Sequence, residues 1–324
     1  MSSINRVRAE LGQLSWVTRR FASEKKLQSQ LRAARNMALP KVPRSRRVPG
    51  SVWAISVVRD ELDVIPSAIE HLFSQGVDRV LVADNRSVDG TREYLQEIAL
   101  KDERVHVALD EEPAHIQSEK MTLLAHFAQR RGADWLIPFD ADEFWFARGS
   151  FLADYLRARP RETNVVRADF HHMVPEVPSP SPFIEAKFVM DAAPSVPGKV
   201  AVRAHPLLEI WPGNHGASRV GNVERGLHIA HAQYRSPVQI ARKVRQGTSA
   251  STLTGEDLNW FSPHWAAGSS LSDETITEVF DRISRGLPDP RIQYRAQGPM
   301  VHVRPLQWKT WDPDGKIPTV VPST

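Results

Sequence analysis

The chain has 324 residues, 41% of them apolar and 25% charged, enough to bury a full core as one large domain or as a core with extensions. No apolar run approaches the roughly 18 residues of a spanning helix and no secretory signal is legible, so the expected location is the cytoplasm, while the absence of cysteine excludes disulfides and thiolate metal sites. The net charge of +4 is segregated: residues 1–50 carry twelve Lys and Arg against Glu10 and Glu24, a net +10, whereas the other 274 residues hold 30 basic and 36 acidic groups, a net −6.

In this basic leader Ile4, Val7, Leu11, Leu14, Val17 and Phe21 recur at three- and four-residue spacing, which predicts a helix with one apolar stripe. Such a helix fits the surface of an anionic membrane, through residues 1–35, or packing against its own domain or a partner. Nucleic acid is not indicated, because only Trp16 and Phe21 interleave aromatic rings with the charge. Pro40, Pro43 and Pro49-Gly50 predict a linker that closes the leader at residues 1–49.

From residue 51 strands and helices alternate. Residues 52–58 read as a strand. Pro66, an apolar face of Ala68, Ile69, Leu72 and Phe73, and a stop at Gly76 predict a helix. A second strand over 77–83 runs into turn residues Asp84-Asn85-Arg86-Ser87-Val88-Asp89-Gly90-Thr91, then a helix carrying Tyr94, Leu95, Ile98 and Ala99. A strand over 105–109, a helix over 117–131 closed by Gly132 and a strand over 135–139 complete the unit. This alternation predicts a Rossmann-type α/β fold, a mostly parallel sheet flanked by helices. The strands' carboxyl ends, Arg59-Asp60-Glu61, Asp84-Asn85, the Asp110 region and Asp140-Ala141-Asp142, then line one edge.

Asp-x-Asp by itself is a weak motif. Among 19 aspartates about one occurrence is expected by chance, and a second, Asp312-Pro313-Asp314, lies in a Pro-rich end that is expected to be extended and mobile from Trp308 onward. Asp140 and Asp142 differ because a buried strand delivers them to its own carboxyl end, where open α/β sheets place ligands. A hard divalent cation and a nucleotide diphosphate are what such an acidic edge holds.

Residues 58–65 (Val-Arg-Asp-Glu-Leu-Asp-Val-Ile), 84–91 (Asp-Asn-Arg-Ser-Val-Asp-Gly-Thr) and 140–144 (Asp-Ala-Asp-Glu-Phe) resemble, in order, the signatures of family 2-like glycosyltransferases with the GT-A fold. The resemblance covers roughly residues 50–147, with weaker echoes to about 247 in Lys199, Asn214-His215-Gly216 and the run from His231 to Ser236. It implies a nucleotide-sugar donor, with Asp84 near the base, Asp140 near ribose and metal, and Asp142 on a Mn²⁺ or Mg²⁺ ion bridging the diphosphate. It also implies a donor half at 50–147, an acceptor half at 148–250, and a helical and extended segment at 251–324. The acceptor expected is a glycan or lipid-linked sugar, in surface polysaccharide synthesis.

Arg59, Glu61, Asp84, Asn85, Asp140, Lys199 and Arg235 are the expected donor-binding residues. Residues 227–231 read as a strand, so His228 and His231 face opposite sides and one must be chosen. Ser236-Pro237-Val238-Gln239 is a capping-box signature starting a helix that ends near Gly247, and it puts His231 at a strand–helix junction. With the family resemblance, this makes His231 the third metal ligand or a diphosphate contact, and His228 a packed strand histidine. His215 is a further donor of hydrogen bonds from a Gly-flanked loop, and His171-His172 reads as a strand pair. Glu143 reads as a support to the pair or a surface acid, and Arg242, Lys243 and Arg245 as a solvated helix face.

An inverting transfer needs a carboxylate near the acceptor hydroxyl, and Asp169, Glu185, Glu209 and Glu224 are available. Trp260, Phe261, His264 and Trp265 could form a sugar platform or pack in a core. A nucleotidyltransferase or a dinucleotide oxidoreductase is excluded by the glycine-free turn Arg59-Asp60-Glu61-Leu62-Asp63, and a haloacid-type phosphatase by Phe144. The alternative from another class is a non-catalytic carbohydrate-binding or scaffolding protein on the same fold.

Overall fold

The computed structural model describes residue 12 and residues 23–180, 182–253, 268–292, 294 and 297–317. Its first long helix, α1 (Glu24–Asn36), leads into a two-residue strand β1 (Met37–Ala38). Next come β2 (Val52–Val58), α2 (Ile65–Ser74), β3 (Arg79–Asp84), α3 (Thr91–Lys101), β4 (Val105–Asp110), α4 (Gln117–Gln129) and β5 (Trp135–Pro138). The apolar runs of β2 and β5 are buried almost throughout, as central parallel strands require. β4, β3, β2 and β5 pair in parallel, as the sequence predicts, and β1 pairs antiparallel to β4.

From β2 the chain steps outward to β3 and β4, then returns past both to β5 on the other side of β2. Right-handed crossovers therefore put α2 and α3 on one face and α4 on the other. The side-chain clusters agree: Ala68, Ile69, Leu72 and Leu95 pack on one face, Met121, Leu124, Ala125 and Ala128 on the other. The strand order reverses between β2 and β5, and the crevice outside their carboxyl ends is the place such a fold leaves for a ligand.

The second half contributes β6 (Glu143–Ala147), α5 (Leu152–Arg157), β7 (Thr163–Pro175), β8 (Phe188–Asp191), β9 (Ser195–Arg203), β10 (Asn222–His231), α6 (Pro237–Thr252), α7 (Asp273–Ile283) and β11 (Met300–Val303). The sheet order is β1-β4-β3-β2-β5-β9-β7-β10-β6, with β8 and β11 as a ribbon on β7. Beyond β5 the pairing is mixed: β9 is antiparallel to β5 and β7, β10 parallel to β7, and β6 antiparallel to β10. Four strand spacings would separate β5 from β6 by about 19 Å in a flat sheet, yet the link from Pro138 to Glu143 spans at most about 17 Å. The sheet must curl, and the curl carries the end of β10 over to the end of β5.

Two expectations change. Residues 37–49 are no free linker, since β1 extends the sheet, Ala33 packs with Ala114 and Ile116, and Arg47 pairs with Asp134. The end is no mobile tail through residue 317: Trp311 stacks on His228 with ring centres 4.7 Å apart, and the Asp312 carboxylate accepts from the amides of Lys316 and Ile317. Asp312 thus serves as a turn cap. The stripe from Ile4 to Phe21, and the aromatic residues 260–265, lie outside the described residues.

His71, buried in α2, donates from Nε2 to the Trp145 carbonyl at 2.8 Å, and burial depresses its pKa to about 4. A histidine with a depressed folded pKa binds fewer protons than in the unfolded chain, so stability falls with pH from about 6.5 towards 4. The expected contribution is roughly 3 kcal/mol across that window. Urea midpoints measured from pH 7 to pH 4 should fall less steeply in His71→Gln, and an equal slope would refute the assignment.

Candidate donor and metal site

The loop after β2 is held in a strained form. Asp60 takes φ 54, a left-handed conformation uncommon outside glycine. Its carboxylate accepts from the Val88 amide at 2.7 Å and the Gln246 side chain at 2.6 Å, and its amide donates to Ser87 Oγ at 2.9 Å. Asp60 thus ties the β2 loop to the β3 loop and to α6. Arg59 is half-buried beside it, 3.8 Å from its carboxylate.

Glu61 and Asp63 turn instead towards Arg235, which is completely buried. Arg235 Nε donates to Asp63 Oδ2 at 2.7 Å, Nη2 to Glu61 and to Asp63 Oδ1, and Nη1 stands 3.6 Å from Asp142 Oδ2. The Lys243 ammonium reaches Asp142 Oδ2 at 2.5 Å and Glu61 Oε1 at 4.0 Å. Burial alone would raise the Asp142 pKa, but Lys243, His231 and Arg235 hold it well below the usual carboxylate range. For Glu61 burial prevails over Arg235 and Lys243, and its pKa is raised.

Local sequence explains why Arg235 and Lys243 arrive here. Ser236 Oγ accepts from the Gln239 amide at 3.2 Å, while Gln239 Oε1 accepts from the Arg235 amide at 3.1 Å, a reciprocal cap that aims the start of α6 at the strand ends. Positions 239, 242, 243 and 246 then share one face, with Arg242 3.4 Å from Asp89. Sequence reading placed Arg242 and Lys243 on a solvated face and so missed them; only Arg245, paired with Asp273 at the surface, fits that expectation. The signal was present in this three- and four-residue spacing downstream of the cap. The helix runs through Gly247 to Thr252, past its expected end.

Asp140 and Asp142 point apart. Lys199 on β9 donates to Asp140 Oδ2 at 2.8 Å and lies 2.9 Å from Glu143 Oε1. Asn214, held at φ 59, donates to Asp140 Oδ1 at 3.1 Å. Glu143 is fully buried, so the surface-acid reading does not hold: it accepts from the Asp140 amide and the Trp145 indole, both at 3.2 Å. Burial opposes the charge on Lys199, but Asp140 and Glu143 outweigh it and raise its pKa.

His231 closes β10 opposite Glu143, with Nε2 3.4 Å from Asp142 Oδ1 and its ring 5.1 Å from that of His172. His228 faces the other way, as predicted, and burial against Trp311 lowers its pKa to about 3. His171 joins it, with Nδ1 3.0 Å from the Asp191 carbonyl. His215 pairs Nδ1 with the Gly198 carbonyl at 3.0 Å. The strand pair therefore splits, and His172 belongs to the site face.

Among the described residues no three acidic or histidine side chains converge in the manner of a complete metal cage. Asp142 Oδ1 and His231 Nε2 are spaced much as two ligands on one small divalent ion, about 3 Å apart for ~2.1 Å bonds at right angles. That pair fits Mn²⁺ or Mg²⁺ with remaining ligands from phosphate and water. Asp140 is engaged by Lys199 and Asn214.

Asp84 closes β3 fully buried. Its Oδ2 accepts from Arg92 Nε at 2.6 Å, and its Oδ1 is buried without a hydrogen-bond partner among the described residues. Asn85 donates to Asp110 Oδ2 and the Glu112 carbonyl, both at 2.8 Å, so it braces the neighbouring strand end. Of the proposed bases none stands at this edge. Asp169 lies on the β7 face opposite Phe170 and His172 and pairs with Arg225 at 3.5 Å. Glu209 pairs with Lys26, Glu224 with Arg159 at the far end of β10, and Glu185 is exposed on a short 3₁₀ turn.

The crevice at the β2/β5 switch point is edged by acids and cations from both halves of the chain. Residues 53–150, the segment that carries β2 to β6, match the model of glycosyl transferase family 2. No curated protein matches the sequence. Solved structures with similar outlines include a mannosyltransferase, PcManGT from Pyrobaculum calidifontis, in complex with GDP-Man and Mn²⁺, at 12% identity, 86% of each chain and a TM-score of 0.39. GalNAc-T7 with UDP, GalNAc and Mn²⁺ follows at 14% identity over 72% of this chain and 54% of that one, TM-score 0.39. TarS of S. aureus has 11% identity over 68% and 42%, TM-score 0.36. The chain thus spans about half the length of the latter two.

Proposed function

We propose that the protein transfers a hexosyl group from a uridine diphosphate donor to a glycan or lipid-linked acceptor, with inversion, in surface polysaccharide synthesis at the cytoplasmic membrane face. The observation that carries the donor reading is the meeting of Asp142, His231, Lys243 and Arg235 at the switch-point crevice. Departure of the sugar builds negative charge on the diphosphate, and catalysis requires that charge to be met by groups already in place. Asp142 and His231 would hold Mn²⁺ or Mg²⁺, which neutralises the leaving phosphate. Lys243 and Arg235 supply fixed positive charge beside them. Asp140, set by Lys199 and Asn214, faces the ribose.

The buried, unpartnered Oδ1 of Asp84 suits a ring N–H such as uracil presents, because a buried acceptor left unpaired is costly. UDP should therefore raise the thermal midpoint more than ADP does at equal concentration, and Asp84→Ala should erase the difference. Equal protection of the native protein by the two nucleotides would contradict the role of Asp84. The whole reading is tested by screening nucleotide sugars with and without Mn²⁺ for thermal protection and donor hydrolysis, with the anomeric configuration of product read by NMR. Protection without hydrolysis or transfer would favour the non-catalytic carbohydrate-binding alternative.

A further inference from the structure

A second cleft lies away from the acidic edge, at the amino ends of β2 and β3, about 20 Å along the strands from the switch-point crevice. The cleft has a volume of about 500 Å³, and four arginines, Arg44, Arg79, Arg131 and Arg157, line it against a single carboxylate, Asp78. Arg157 is committed: Nη2 donates to Asp78 at 3.0 Å and to the Gly76 carbonyl at 3.1 Å, and Nε to the Gly50 carbonyl at 3.1 Å. The other three keep their charge uncompensated, since no described carboxylate is within ion-pair distance of Arg44, Arg79 or Arg131.

Arg131 and Arg79 are also held in position. Arg131 lies 3.4 Å over the Phe127 ring and donates Nε to the Val42 carbonyl at 2.8 Å. Arg79 lies 5.3 Å over Trp53 and donates to His106 Nε2 at 3.2 Å. His106 itself tilts over Trp53 at 5.5 Å. Its pKa is lowered to about 4 by burial first, then by Arg79 and Arg131. Residues 44–51, which form the opposite wall, are fixed to the body by the amide of Ser45 on the Arg130 carbonyl at 3.1 Å and that of Val48 on the Gly132 carbonyl at 2.9 Å. A cationic cleft whose planar donors are clamped on aromatic faces is organised before any ligand arrives.

We propose that this cleft is a second binding site, selective for an anion carrying two or more phosphate groups, supplied either free in solution or as a phospholipid headgroup. Arg44 and Arg79 provide exposed bidentate donors, Arg131 the fixed charge at the base of the cleft, and His106 stays neutral until an anion is present. The site is independent of the donor reading, because it shares no residue with the acidic edge.

The test uses the full-length protein with two probes, sodium tripolyphosphate followed by calorimetry, and vesicles of phosphatidylcholine with or without cardiolipin, whose headgroup carries two phosphates, followed by flotation. Tripolyphosphate should bind and shift the His106 ring resonances by raising its pKa. The double variant Arg44→Glu/Arg79→Glu should lose about a hundredfold in affinity, about tenfold per guanidinium, while UDP affinity at the strand ends is unchanged. If the charge reversal lowers the thermal midpoint, Arg44→Gln/Arg79→Gln serves in its place. Binding to the cardiolipin vesicles alone, lost in the same variant, identifies the headgroup as the source. Wild-type affinity in the double variant for both probes, or no binding of either by the native protein, overturns the proposal.

Discussion

Replacing Arg235 by methionine should lower the stability of the protein by about 3–5 kcal/mol, the usual cost of removing one partner from a buried charge cluster. Methionine fills most of the space but leaves Glu61, Asp63 and Asp142 facing one another with Lys243, Arg242 and His231 to compensate. A thermal midpoint lower by roughly 10 °C follows. The loss should shrink on acidification. Burial already raises the Glu61 pKa against the pull of Arg235 and Lys243, and removing Arg235 raises it further. An acid with a raised folded pKa binds more protons folded than unfolded, so its effect on stability worsens as pH rises. Thermal melts at pH 7 and pH 5 should show the variant approaching the parent at the lower value; a constant gap would exclude the carboxylates as the cause.

Asp142→Asn separates ligand binding from folding. A solvent-facing strand-end acid costs little to lose, but the structure buries Asp142 among Lys243, His231 and Arg235. The amide keeps the shape but not the charge, and a cost of about 2–3 kcal/mol is expected, in the range of hydrogen bonds to charged groups. Because the folded pKa is depressed, this contribution is present in the parent above pH 4 and disappears as pH falls below it. The functional effect should be larger: Mn²⁺-dependent UDP binding, measured by calorimetry well below the melting transition, should weaken at least about a hundredfold. Unchanged affinity in the variant would remove Asp142 from the metal site.

The sequence alone determined the parallel unit β2 to β5, its intervening helices and the placement of its acidic strand ends, because strand and helix periods, turn residues and crossover handedness are local or pairwise rules. It also fixed the opposed faces of His228 and His231, since alternation along a strand leaves no choice. Tertiary structure decided the rest. A cation on one helix cannot announce which distant carboxylate it meets, so Arg242 and Lys243 read as solvent-facing until the cap at Ser236 and the curl of the sheet brought α6 onto Asp89 and Asp142. For the same reason Asp140 and Asp142, one residue apart, look like a shared ligand pair in sequence. Lys199 on β9 draws one aside while Lys243 and His231 claim the other, because each neighbour comes from a strand or helix more than fifty residues away.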